Sequence, residues 1–156
     1  MSIWNTSLNI LARREHSQSE LFTKLQTRFP EQLDEIDDVI LRLQERGLQS
    51  DERYAQIWFN GQIAKYRGPK RIQYESRQKG VADRIEALLS QVEQDWYQLA
   101  YDAVARRYPS GATYEDKGKI YRFLSYRGFS GDMIQYAYDE LAQKYTNLTE
   151  GHDSTE

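Results

Sequence analysis

The sequence predicts an all-α fold, an elongated array of three tandem three-helix repeats. Extended alternation of apolar and polar residues is absent, while apolar residues recur at helical spacing along nearly the whole chain. One phrase also returns, a cation, a glycine and a large apolar residue: Arg46-Gly47-Leu48, Lys79-Gly80-Val81 and Arg127-Gly128-Phe129. Each reads as a helix stop: glycine enters the left-handed conformation freely, the cation meets the negative end of the macrodipole, and the apolar residue folds back. A fourth pair, Arg67-Gly68, precedes Pro69, which cannot extend an incoming helix and suits the first turn of the next.

The elements follow in order. A first helix spans Asn5 to Glu15, and Ser17-Gln18-Ser19-Glu20 is a capping box for a second, with Leu21, Leu25 and Phe29 at helical spacing until Pro30 interrupts. Leu33, Ile36, Val39, Ile40 and Leu43 line the third, which Gly47 stops. Ser50 or Asp51 caps a fourth, carrying Tyr54, Ile57, Trp58 and Ile63. Stacked, these pieces show a period. Long helices (Asn5 to Glu15, Glu52 to Tyr66, Gln94 to Tyr108) precede shorter ones (Leu21 to Phe29, Ile72 to Val81, Ile120 to Phe129). Third helices follow at about Glu31 to Arg46, Ala82 to Val92 and Gly131 to Lys144, with Ile36, Ile85 and Ile134 in corresponding places. The expected repeats are residues 1–49, 50–93 and 94–146, with 147–156 an acidic polar tail expected to be disordered. Pro109 to Asp116 is the one long loop, and Asp95 suits the positive end of the helix that Trp96 begins. Leu21, Leu25, Ile36, Ile40, Ile85, Leu88, Ile120, Leu124, Ile134 and Leu141 are the expected core, with Trp4, Trp58 and Trp96 as packing anchors.

Composition narrows the function. The chain has 156 residues, 39% hydrophobic and 29% charged, with a mean hydropathy of −0.84, which suits thin amphipathic helices better than a thick sheet. The absence of cysteine removes disulfides, thiolate zinc sites and thiol nucleophiles. His16 and His152 have no ligand-spaced companions, so no metal or other cofactor is expected. The acids Asp34, Glu35, Asp37 and Asp38 lack the glycine-turned loop of a calcium site and flank Ile36 on an amphipathic helix. With no phosphate loop or catalytic triad either, the expectation is a protein that is not an enzyme. Neither an export leader nor a membrane span is legible, and a cytoplasmic monomer is expected.

Net charge is −3, yet the charges are segregated. Lys65 to Gly80 holds six cations against Glu75 alone, and Lys117 to Gly131 holds four with no acid. The candidate partner-binding residues are therefore Arg67, Lys70, Arg71, Arg77 and Lys79 in the first stretch, and Lys117, Lys119, Arg122, Tyr126 and Arg127 in the second. Solvated helix faces account for such clusters equally well, except that carboxylates at i,i+4 are scarce here. Arginine beside tyrosine can grip phosphates and stack on bases, or meet an acidic protein surface. An autonomous DNA-binding module is the alternative to a protein-directed regulator, and the negative overall charge weighs against it.

Several phrases resemble the RecX family of bacterial regulators of the RecA recombinase: "LARREHSQSELFTKL" (Leu11 to Leu25), "VILRLQERGLQSDERYA" (Val39 to Ala55), "RGPKRI" (Arg67 to Ile72), "QKGV" (Gln78 to Val81), "DWYQLA" (Asp95 to Ala100) and "KIYRFLSYRGF" (Lys119 to Phe129). Their order and spacing, over roughly Leu8 to Ala142, carry the resemblance. One departure is Ser76, where the other repeats have Leu25 and Leu124. The resemblance implies three helical repeats. It also implies binding along a RecA filament on single-stranded DNA and suppression of its ATPase and strand exchange, within DNA repair, recombination and the SOS response.

Overall fold

A computed structural model describes residues 1–153; the last residues of the expected tail, 154–156, lie outside the described residues. Nine α-helices and one 3-10 turn make up the described residues, with no strand among them. They are α1 (Ile3–Arg13), α2 (Gln18–Arg28), α3 (Leu33–Glu45), α4 (Asp51–Ala64), α5 (Pro69–Gln78), α6 (Ala82–Gln91), α7 (Trp96–Ala105), the 3-10 turn (Tyr114–Asp116), α8 (Lys117–Tyr126) and α9 (Gly131–Asp153). None of these helices is long and apolar enough to cross a membrane. By contacts the chain forms two compact units, Met1–Asn60 with Glu75–Ser90, and Gly61–Tyr74 with the chain from Gln91 onward. The three divisions, after Asn60, Tyr74 and Ser90, fall inside helices α4, α5 and α6.

In the first unit Ile3 of α1, Leu21 and Leu25 of α2, and Ile36, Val39, Ile40 and Leu43 of α3 form one buried cluster. Trp4 packs beside it under the guanidiniums of Arg42 and Arg46, 4.7 and 5.1 Å from the ring centre. The capping box closes as expected: the Ser17 hydroxyl accepts from Glu20 N, and the Glu20 carboxylate accepts from Ser17 N. At α4 the cap is Ser50, whose Oγ accepts from Arg53 N at 3.1 Å. Asp51 Oδ1 instead accepts from Gln18 N at 2.7 Å and from the buried Gln49 Nε2 at 3.1 Å, tying the start of α2 to the start of α4. Helix α4 buries one stripe of its apolar residues. Tyr54, Ala55 and Phe59 are buried, whereas Ile57 is 55% exposed, because at 100° per residue it points away from the stripe those three define. Ile85 is fully buried and Leu88 half-buried; Ser76, in the place of Leu25 and Leu124, is fully buried too.

In the second unit Leu99, Ala100 and Val104 of α7, Ile120 and Leu124 of α8, Phe129, and Ile134, Ala137 and Leu141 of α9 share a core. Asp95 caps α7, accepting from Gln98 N at 3.0 Å. The expected loop, Pro109 to Asp116, is pinned to α9: Ala112 N donates to Leu141 O at 2.9 Å. Helix α9 continues through residues 147–153, where the sequence suggests a disordered tail. Polar side chains continue its ladder, Gln143 Nε2 donating to Asn147 and the Thr146 hydroxyl to Ala142 O, and no proline or positive-φ residue stops it.

The recurring turns are helix ends of one type. Leu48 N bonds Leu43 O, Val81 N bonds Ser76 O and Phe129 N bonds Leu124 O, with Gly47, Gly80 and Gly128 at φ +70°, +74° and +96°. The fourth pair corrects the sequence reading. Arg67 N bonds Gln62 O in the same pattern, but the left-handed residue is Tyr66, at φ +59°, and not Gly68.

Candidate functional site

Gly68 serves a close approach. Its N–H donates to Arg127 O at 2.7 Å, and Lys70 N donates to Gly128 O at 3.0 Å, so the turn before α5 and the turn after α8 are clasped main chain to main chain. A Cβ on Gly68 would stand 2.4 Å from the Gly128 carbonyl, and one on Gly128 would stand 2.4 Å from Arg71 Cβ. Glycine at both positions is what lets the turns meet.

The clasp puts two stretches remote in sequence onto one surface. The Arg71 guanidinium lies 5.1 Å from the Tyr126 ring centre. Arg127 Nη1 donates to Lys65 O at 2.9 Å, and its guanidinium sits 4.9 Å from the Phe123 ring, which Arg107 also approaches at 4.2 Å. Partial burial, and then the charges of Arg67, Arg107 and Arg71, push the Arg127 guanidinium below its ordinary pKa. The three charges that act on Arg127 are all positive, which adds to the cost of keeping its own charge.

Helix α8 extends the surface. Lys119, Arg122 and Tyr126, at i, i+3 and i+7, share its exposed face, while Ile120 and Leu124 hold the opposite one in the core. Tyr126 is 78% exposed. Beside it lies an open groove of about 520 Å³, walled by Lys70, Tyr121, Arg122, Ser125 and Tyr126, with Phe129 and Ile134 below and Gly131, the first residue of α9, at one end. Lys117, on the first turn of α8, is half-buried over the rings of Tyr138 and Tyr121, at 5.2 and 5.9 Å.

The structure thus brings together Arg67, Lys70, Arg71, Lys119, Arg122, Tyr126 and Arg127 in the second unit. Arg77 and Lys79 belong to the first. Arg77 is exposed, and Lys79 Nζ lies 3.7 Å from Glu20 Oε2. Burial pushes the Glu20 carboxyl up, but the Arg14 side chain, 3.2 Å away, and the Ser17 N–H hold it below its usual range. Part of the Lys79 charge therefore neutralises a carboxylate of its own chain. Arg107 is the residue that sequence reasoning passed over. It lies just past the end of α7, where a cation is expected anyway, and only its stacking on Phe123 marks it as part of the surface.

Together, the fold and this surface define a class: an all-helical protein of three-helix repeats bearing one crowded cationic face. Family models for the first, second and third three-helix domains of RecX match residues 4–43, 50–85 and 93–138. The "Regulatory protein RecX" of Haemophilus influenzae (strain ATCC 51907) is 37% identical over 135 residues, covering 83% of this chain and 88% of that protein. The protein of the same name from Vibrio vulnificus (strain CMCP6) is 34% identical, covering 91% and 94%. A crystal structure of RecX from Lactobacillus salivarius superposes with a TM-score of 0.71 at 26% identity, covering 89% of this chain and 94% of that one. The chain belongs to the RecX family.

Proposed function

We propose that this protein binds RecA filaments on single-stranded DNA and lowers their ATPase and strand-exchange activity, acting as a cytoplasmic monomer by occupancy and not by catalysis. The observation that carries this reading is the clasp between the turns at Gly68 and Gly128, which gathers Lys70, Arg71, Arg122, Tyr126 and Arg127 onto one surface. The family supports a regulatory role, and the resemblance read from the sequence supplies RecA as its target. The contact surface is Arg67, Lys70, Arg71, Lys119, Arg122, Tyr126 and Arg127, with Lys117, Arg77 and Lys79 contributing less. The last three are covered by rings, lie in the other unit, or are engaged with Glu20.

The test is a titration into RecA assembled on single-stranded DNA, with ATP hydrolysis followed at two salt concentrations. Hydrolysis is expected to fall with added protein, and to fall less at high salt as ions screen the cationic face. ATPase that stays constant while the protein binds bare DNA tightly would replace this reading with that of an autonomous DNA-binding module.

A further inference from the structure

We infer that the groove walled by Lys70, Tyr121, Arg122 and Tyr126 is a nucleotide subsite for single-stranded nucleic acid, with a base stacked on Tyr126 and its phosphate held between Lys70 and Arg122. This rests on the reading of the surface as the contact with a DNA-bearing filament, and goes further by assigning the nucleic acid to this groove.

Its volume, about 520 Å³, falls within the range of small-ligand pockets. The walls divide by chemistry: Lys70 and Arg122 are exposed cations at the rim, Phe129 and Ile134 are apolar and buried, and no carboxylate lines it. Tyr126 keeps 78% of its surface exposed although Arg71 stacks against its ring at 5.1 Å. An exposed ring braced by a guanidinium is a platform for a flat apolar partner, and a base supplies that partner together with a phosphate. Tyr121 is fixed by a hydrogen bond from its hydroxyl to Gln135, and Ser125 adds to the same lining a hydroxyl that can donate or accept. An acidic peptide would satisfy the cations but leave the ring uncovered. Double-stranded DNA would offer phosphates but keep its bases stacked on one another. The combination selects an unpaired strand.

The experiment measures binding of fluorescently labelled oligothymidylate, and of an abasic strand of equal length, by the intact chain and three variants whose folding is checked by circular dichroism. Tyr126→Ala is expected to weaken binding to oligothymidylate about 5- to 150-fold, the range for loss of one base–aromatic stack, with its salt dependence unchanged. Tyr126→Phe, which keeps the ring, is expected to restore it. Arg122→Gln is expected to lower the log–log salt slope by about one. The abasic strand is expected to bind the parent as weakly as oligothymidylate binds Tyr126→Ala. Equal binding of both strands by the parent, or full binding by Tyr126→Ala, overturns the subsite. If Tyr126→Ala binds the bare strand normally but no longer slows RecA, the groove meets protein: this inference falls and the regulatory reading stands. If the stacking signature appears while RecA is unaffected, the subsite stands and the regulatory reading falls.

Discussion

Glycines that look alike in the sequence do different work. Gly47 has open space where a Cβ would go, and only its φ of +70° disfavours alanine. Gly47→Ala should therefore cost about 1–2 kcal/mol, the left-handed penalty alone. Gly128 adds to its φ of +96° a Cβ position 2.4 Å from Arg71 Cβ, so Gly128→Ala should cost about 2–4 kcal/mol, because overpacking joins backbone strain. Urea denaturation of both variants checks the ranking, and equal losses would contradict the clasp. His16 makes a second residue-scale prediction. It is buried, with Nδ1 at 3.0 Å from Arg14 O and Nε2 at 2.8 Å from Lys24 Nζ. Nδ1 then donates to the carbonyl while Nε2 accepts from the ammonium, an arrangement that requires the neutral ring. Burial, with the Arg14 and Lys24 charges, pushes its pKa below 6.5. A depressed pKa means that the unfolded chain takes up the proton first. The stability this ring contributes is thus complete above the unfolded value and drains as pH falls through it toward the folded one. The urea midpoint should drop between about pH 7.5 and pH 5.5, and His16→Gln should show a smaller drop over the same window.

At the scale of elements, the sequence carried most of the architecture. Among the described residues the helices stand within a few residues of where the periodic apolar positions put them, except that α9 runs on past Lys144, and the caps at Ser17 and Asp95 form as expected, because both signals are local. What escaped depended on partners far along the chain. Ile57 recurs with Tyr54 and Trp58 in the sequence, but the stripe through Tyr54, Ala55 and Phe59 decides which face is buried. Tyr66 took the left-handed position that its neighbour Gly68 seemed made for, since Gly68 is needed two residues on for contact with Gly128. The register of the repeats has a direct check in Ile85, which is fully buried like Ile36, with Ile134 buried in the corresponding place. Ile85→Asp puts an uncompensated carboxyl there and should cost about 3 kcal/mol or more. A thermal melt matching that of the parent would show the correspondence of the three helices to be wrong.

For the molecule as a whole, charge placement and stability are separable. The candidate cations were legible as two basic stretches, but their division was not. The clasp that joins Lys70 and Arg71 to Arg127, and the pairing of Lys79 with Glu20, are tertiary facts. Reversing Arg71, Arg122 and Arg127 to glutamate together should leave the circular dichroism spectrum unchanged. Arg122→Glu alone should change stability by about 0.5 kcal/mol or less, and the triple variant should melt somewhat lower, since Arg71 and Arg127 also give up their ring contacts and the hydrogen bond to Lys65 O. Binding to RecA filaments should nevertheless be lost. A triple variant that still slows filament ATP hydrolysis as the parent does would remove this face from the function.

The two hydrogen bonds that clasp Gly68 to Arg127 and Lys70 to Gly128 run entirely through main-chain atoms. Any non-proline residue at 70, and any residue at 127, would supply the same amide or carbonyl. Scaffold and vocabulary are therefore written in different parts of the same peptide: the glycines keep the turns in register, while the side chains between them can be exchanged for others of different charge, length or shape. Randomising positions 67, 70, 71 and 127 while holding 68 and 128 as glycine would yield a library of folded proteins that share one geometry and differ in what they recognise.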